Sequence, residues 1–203
     1  MMNPFFLSAV LFCVALTTQW CDAGKKWLIY ERCELAEEGN LAGDSFSVKA
    51  LTGYTYLFKL HGVDCPEVSN QDQSNFKDQV KYFSIEEKDL IEWGEKAAKF
   101  SKDFLSKPFT VYTQKVKAPG SGTKSRYYAI IVNAEGKRLD EALLEAGFGR
   151  VFGKGAEWEK PFWSRTKADL PRKMKEDRFL TKLRIIANKA KRENRGVWSA
   201  KSR

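Results

Sequence analysis

Between Gly43 and Glu67 the chain alternates apolar and polar residues twice, once on each side of Gly53, and that pattern dictates a β-hairpin. Phe46, Val48 and Ala50 share one face of the first run, and Tyr54, Tyr56, Phe58 and Leu60 share one face of the second. Lys59 then points to the opposite face with Thr55, Leu57 and His61. Asp44 stands just before the first strand and Asp64-x-x-Glu67 just after the second. A hairpin brings its outer ends together, so three carboxylates converge near the cation Lys59. Gathered carboxylates repel one another unless neutralised, and the usual neutraliser is a hard divalent cation with oxygen ligands.

Taken singly, each of these acids reads as ordinary turn chemistry, since Gly-Asp and Pro-Glu commonly open turns, loops and helices. Their grouping in an otherwise basic chain makes the stronger case. The 203 residues carry 35 Lys and Arg against 26 Asp and Glu, a formal net charge of +9. Such a surplus attracts polyanions by counterion release and steering. Charge alone does not separate nucleic acid from a membrane surface or an acidic polysaccharide.

Gly43-Asp44-Ser45, followed by Phe58-Lys59-Leu60-x-Gly62-Val63-Asp64-x-Pro66-Glu67, resembles the staphylococcal nuclease family, whose pattern is roughly D-G-D-T and then R-L-x-G-I-D-x-P-E. Further matches follow in order: Arg126 ahead of the strand-like run Tyr127 to Val132, a turn at Gly136-Lys137, Asp140-Glu141-Ala142-Leu143 opening a helix, and Arg195-Gly196-Val197-Trp198-Ser199 closing the last one. The resemblance implies that Asp44, Asp64 and the backbone carbonyl of Cys65 bind Ca2+. It makes Glu67 the general base toward an attacking water, and Lys59 and Arg126 the cations that hold the scissile phosphate. Three departures stand out. Lys59 replaces the family arginine, so a bidentate fork becomes a point charge. Ala42 occupies the place of a second Asp, and Phe152-Gly153-Lys154-Gly155 lacks the expected tyrosine pair.

Elsewhere the chain supplies the parts of one domain. Phe5 to Leu16 is apolar, uncharged and too short to span a bilayer, and Cys21-Asp22-Ala23 follows with small residues. This reads as a secretory signal cleaved after Ala23, leaving a single domain over 24–203 in a secreted or periplasmic location; an uncleaved anchor or a buried helix is the competing reading. Two cysteines remain, Cys33 and Cys65, which permits one disulfide or two buried thiols. Trp27 to Tyr30 and Phe109 to Thr113 read as further strands. Ser69 to Phe83 reads as a polar loop with a helical turn. Ser84-x-x-Glu87 has the form of a capping box ahead of a helix carrying Leu90, Trp93, Ala97, Phe100 and Phe104. Leu139, Ala142, Leu143 and Ala146 mark a short helix stopped by Gly147, and Phe179, Leu183, Ile186 and Ala190 stripe a last one. Residues 150–169 mix cations with Trp158, Phe162 and Trp163, suited equally to stacking on bases or to covering a satellite core.

Five strands and about three helices suit a small Greek-key β-barrel of α+β class, which the resemblance makes an OB-fold. It implies a monomeric, calcium-dependent endonuclease of DNA or RNA that leaves 3'-phosphates, with no stable membrane insertion once the signal is gone. The rival from another class is a non-catalytic OB-fold binder of nucleic acid, and a third is a binder of acidic polysaccharide.

Overall fold

The computed structural model describes residues 27–37, 42–71, 73–118, 125–152 and 177–202. The signal segment, the stretch 119–124 and most of the basic aromatic segment after Phe152 lie outside them. Five strands close a barrel: β1 (Leu28–Leu35), β2 (Ser45–Lys49), β3 (Thr55–Leu60), β5 (Phe109–Thr113) and β7 (Arg126–Val132). Neighbours run β3-β2-β1-β5-β7, and a parallel pairing of β3 with β7 completes the ring. Short strands β4 (Val63–Asp64) and β8 (Arg150–Val151) pair with each other, and β6 (Lys117–Ala118) pairs antiparallel with the start of β7. With the helices this is the α+β, OB-type barrel expected.

The hairpin forms because its alternation has a core to face. Phe46, Val48, Phe58 and Leu60 are fully buried with Phe109, Val111, Ala129 and Ile131, which β5 and β7 contribute. Burying each such side chain is worth about 1.5–3 kcal/mol. Gly53 turns the hairpin at φ +85°, a left-handed backbone that only glycine adopts freely. Tyr54, read above as part of the apolar face, precedes β3 and is exposed.

Four α-helices are present among the described residues, one more than expected. The additional one is α1 (Gln73–Phe83), in the segment read as a loop. Phe76, Val80 and Phe83 recur at i, i+4 and i+7 and pack a second core with Leu90, Val197 and Trp198. The polar residues between them hid that stripe. Helix α2 (Glu87–Phe104) lies where predicted, but the capping box does not form. Ser84 has φ +55° and its hydroxyl donates to the Lys81 carbonyl, closing α1, while Glu86 caps α2 without a side-chain bond. Helices α3 (Leu139–Glu145) and α4 (Asp177–Arg192) follow, and Gly147 ends α3 at φ +78°. A 3-10 turn, Gly196–Ser202, carries Val197 and Trp198 into the second core. No helix among the described residues is long and apolar enough to cross a membrane.

Cys33 and Cys65 are both buried free thiols, so the disulfide alternative is not realised. Cys33 sits in β1 and donates to the Tyr30 carbonyl, and Cys65 packs at the barrel rim against Gly43.

Candidate active site

Sheet register sets the first two charges side by side. Ser45 pairs with Lys59 across the hairpin, and the Leu60 amide donates to the Asp44 carbonyl at 2.8 Å. The Lys59 ammonium therefore reaches Asp44 Oδ2 at 2.6 Å, and Asp64 Oδ1 at 3.4 Å from the strand that follows. Both carboxylates are almost wholly buried. Burial works against the lysine's charge, yet the two carboxylates outweigh it and hold the ammonium protonated well above the ordinary lysine range.

The remaining oxygens are also engaged. Asp44 Oδ1 accepts from the Ser45 hydroxyl at 3.2 Å, and Oδ2 accepts from the Cys65 amide at 3.2 Å. Asp64 Oδ2 accepts from Arg150 Nε at 2.9 Å and from Gln79 Nε2 at 2.8 Å, and the same Gln79 nitrogen donates to the Cys65 carbonyl at 2.8 Å. Arg126, the first residue of β7, donates from NH1 to the Ser45 hydroxyl at 3.1 Å. The Ser45 hydroxyl thus links Asp44 to Arg126.

Glu67 lies beyond Asp64 on the path to α1. Asn75 Nδ2 donates to its Oε1 at 2.7 Å, and its own amide donates to Gln79 Oε1 at 2.9 Å. Burial, then the charge on Asp44, raises its pKa above the usual carboxylate value, partly offset by the Asn75 bond. A carboxylate so placed is a stronger base than a solvated one.

Every residue predicted for the site is therefore drawn to one rim of the barrel: Asp44, Lys59, Asp64, Cys65, Glu67 and Arg126. Lys59, expected to face a phosphate, is instead pinned between two acids. His61 stands apart, buried against Tyr128 and Phe179, with its pKa lowered to about 4 by burial and by Arg138. Four residues escaped the sequence reading. Asn75, Asp78 and Gln79 come from α1, and the buried Arg150 donates to Asp64, to Asp78 Oδ2 at 2.7 Å and to Asn75 Oδ1 at 3.2 Å. Its guanidinium also lies 5.1 Å from the Tyr82 ring and 4.8 Å from that of Phe152. The signals were the Phe76, Val80, Phe83 spacing and an arginine set between Gly149 and Val151, both masked by polar or basic surroundings.

The donor set does not fit a resident calcium ion. Calcium takes six to eight oxygens, whereas the Asp44 and Asp64 carboxylates and the Cys65 carbonyl are already committed to donors of the chain, and the position between the two acids holds an ammonium. No group of three or more His, Cys, Asp or Glu arranged to hold a metal occurs among the described residues.

A family model described as "Staphylococcal nuclease homologue" matches residues 57–161, just over half of the chain. The match covers Lys59, Asp64, Cys65, Glu67, Arg126 and Arg150, and begins after Asp44. No curated protein matches the chain.

Proposed function

The chain belongs to the staphylococcal nuclease homologue family, and from that premise we propose that it is a phosphodiester hydrolase that cuts DNA or RNA outside the cytoplasm. The observation that carries the reading is the hydrogen-bond network that gathers Glu67, Asp64, Asp44 and Arg126 at one rim, in a chain of net charge +9. In this reading Glu67 takes a proton from water as its oxygen attacks phosphorus. Asn75 holds the carboxylate, and its raised pKa strengthens it as a base. Arg126 pairs with the non-bridging phosphoryl oxygens as their charge grows. The P–O bond to the 5'-oxygen breaks, that oxygen takes up a proton, and a 3'-phosphate is left.

Calcium, where bound, would polarise a phosphoryl oxygen as a Lewis acid. The calcium dependence expected from the resemblance is not carried into this reading, because the residues that would hold the ion are already engaged. Export rests on the apolar run Phe5 to Leu16 and the small residues up to Ala23.

One observation favours the non-catalytic binder instead: Lys59 spends its charge on Asp44 and Asp64 rather than on a ligand. The two readings part on a simple assay. Purified protein is incubated with single-stranded DNA and with RNA, in chelator and in calcium, and the product ends are mapped. Ladders of 3'-phosphate fragments are expected. Intact substrate under every condition would leave the binder.

A further inference from the structure

The electrostatic problem posed by two buried carboxylates on one barrel rim is solved here by the chain's own side chains. Asp44 and Asp64 carry two negative charges, and Lys59 and Arg150 return two positive ones. A divalent cation added to this arrangement would raise the local charge by two. It would sit beside an ammonium that already contacts both acids, and buried like charges at such range repel strongly.

We propose that Lys59 is the resident cation of this site, its ammonium standing where a divalent metal would otherwise bind, so that the Asp44–Asp64 pair is closed to calcium until Lys59 is removed. Geometry supports this independently of charge. The β2–β3 register places Lys59 opposite Ser45 and next in space to Asp44, so the side chain needs no distortion to reach the acids. A lysine ends in a compact point charge with three donors, which suits a seat between two carboxylates, whereas the planar fork of an arginine suits one carboxylate or phosphate bidentately. A single residue type therefore separates a site that recruits metal from one that supplies its own cation. The inference goes beyond the nuclease reading and does not need it, because it concerns binding of an ion and not turnover.

The test is isothermal titration of the purified protein with calcium chloride, with the thermal unfolding midpoint followed in calcium and in chelator. Lys59→Met, an unbranched side chain one atom shorter and without the charge, is measured alongside, with Lys59→Gln as a second variant should the first not fold. For the wild type, no binding heat below about millimolar calcium and no shift of the midpoint are expected. For the lysine variant, affinity at least about tenfold higher is expected, with a midpoint that rises with calcium. The added Asp44→Asn change should abolish both effects. Submillimolar calcium binding by the wild type overturns the proposal, and so does a folded lysine variant that remains indifferent to calcium. The wild-type titration decides on its own if neither variant folds.

Discussion

Arg150 Nε donates to Asp64 Oδ2 over 2.9 Å, joining the strand after the short α3 helix to the strand after the hairpin, 86 positions away in sequence. Both side chains are nearly completely buried. The same guanidinium reaches two residues of α1, so it adds to the bonds by which Gln79 and Asn75 fasten that helix to the barrel rim. Arg150→Met should leave the buried Asp44 and Asp64 sharing the single ammonium of Lys59 and cost about 3–5 kcal/mol, read from urea unfolding. The Asp78 contact contributes little to that figure, because its carboxylate is largely exposed. Arg150→Lys should recover only part of the loss, since one ammonium cannot serve three directions.

Gly94 lets α2 lie directly against the loop that carries Glu67. A Cβ there would collide with the Glu67 carbonyl and stand 2.8 Å from that of Pro66, both backbone atoms that cannot swing aside. Gly94→Ala should destabilise the fold by about 1–3 kcal/mol despite alanine's better helix propensity. Activity should fall further than stability, because the displaced atoms belong to the proposed base. Chemical unfolding and turnover measured on the same preparation check both.

His61 gives stability an acid dependence with a defined sign. Burial lowers its pKa to about 4, below the ordinary histidine value near 6.5. Between those values the unfolded chain binds the proton and the folded one does not. Stability is therefore full above about pH 6.5 and declines as pH falls toward 4, by about 3 kcal/mol at most. Subtracting the stability–pH curve of His61→Gln from that of the wild type should isolate this slope. Identical curves would exclude it.

Both described thiols should be unreactive in the native state. Burial raises the Cys33 pKa to about 11 and pushes that of Cys65 well up, which removes the thiolate. Alkylation without reductant should leave Cys33 and Cys65 unmodified in native protein and label both after unfolding. Recovery of a cross-linked peptide would contradict the structure.

The hairpin was legible because Phe46, Val48, Phe58 and Leu60 obey a period of two and Gly53 interrupts it, so local pattern and tertiary burial demand the same structure. Helix α2 was legible for the same reason at a period of 3.6, although its cap was not. Ser84 has the right residue type, but its backbone is committed to ending α1. Segment 73–83 was misread because its apolar stripe is only three residues deep and faces a core completed by Trp198, far along the chain. That Asp44, Lys59, Asp64, Glu67 and Arg126 gather at one rim was readable in the sequence. The charge balance of that rim was not, because Asp64 is neutralised by Arg150 together with Lys59, and no sequence spacing relates Arg150 to Asp64. The gathered carboxylates alone point to a metal, and only the fold shows that an arginine and a lysine also face them.

The proposed reaction is hydrolysis of phosphodiester bonds at this rim with Glu67 as base. The most direct measurement follows cutting and equilibrium binding of one labelled single-stranded DNA by the wild type and by Glu67→Gln, in chelator and in calcium. The wild type is expected to cut, and the variant to bind within a few fold of it while cutting at least about a hundredfold more slowly, the scale of a lost general base. Tight binding by the wild type without cutting in either condition, or equal cutting by the variant, would contradict it.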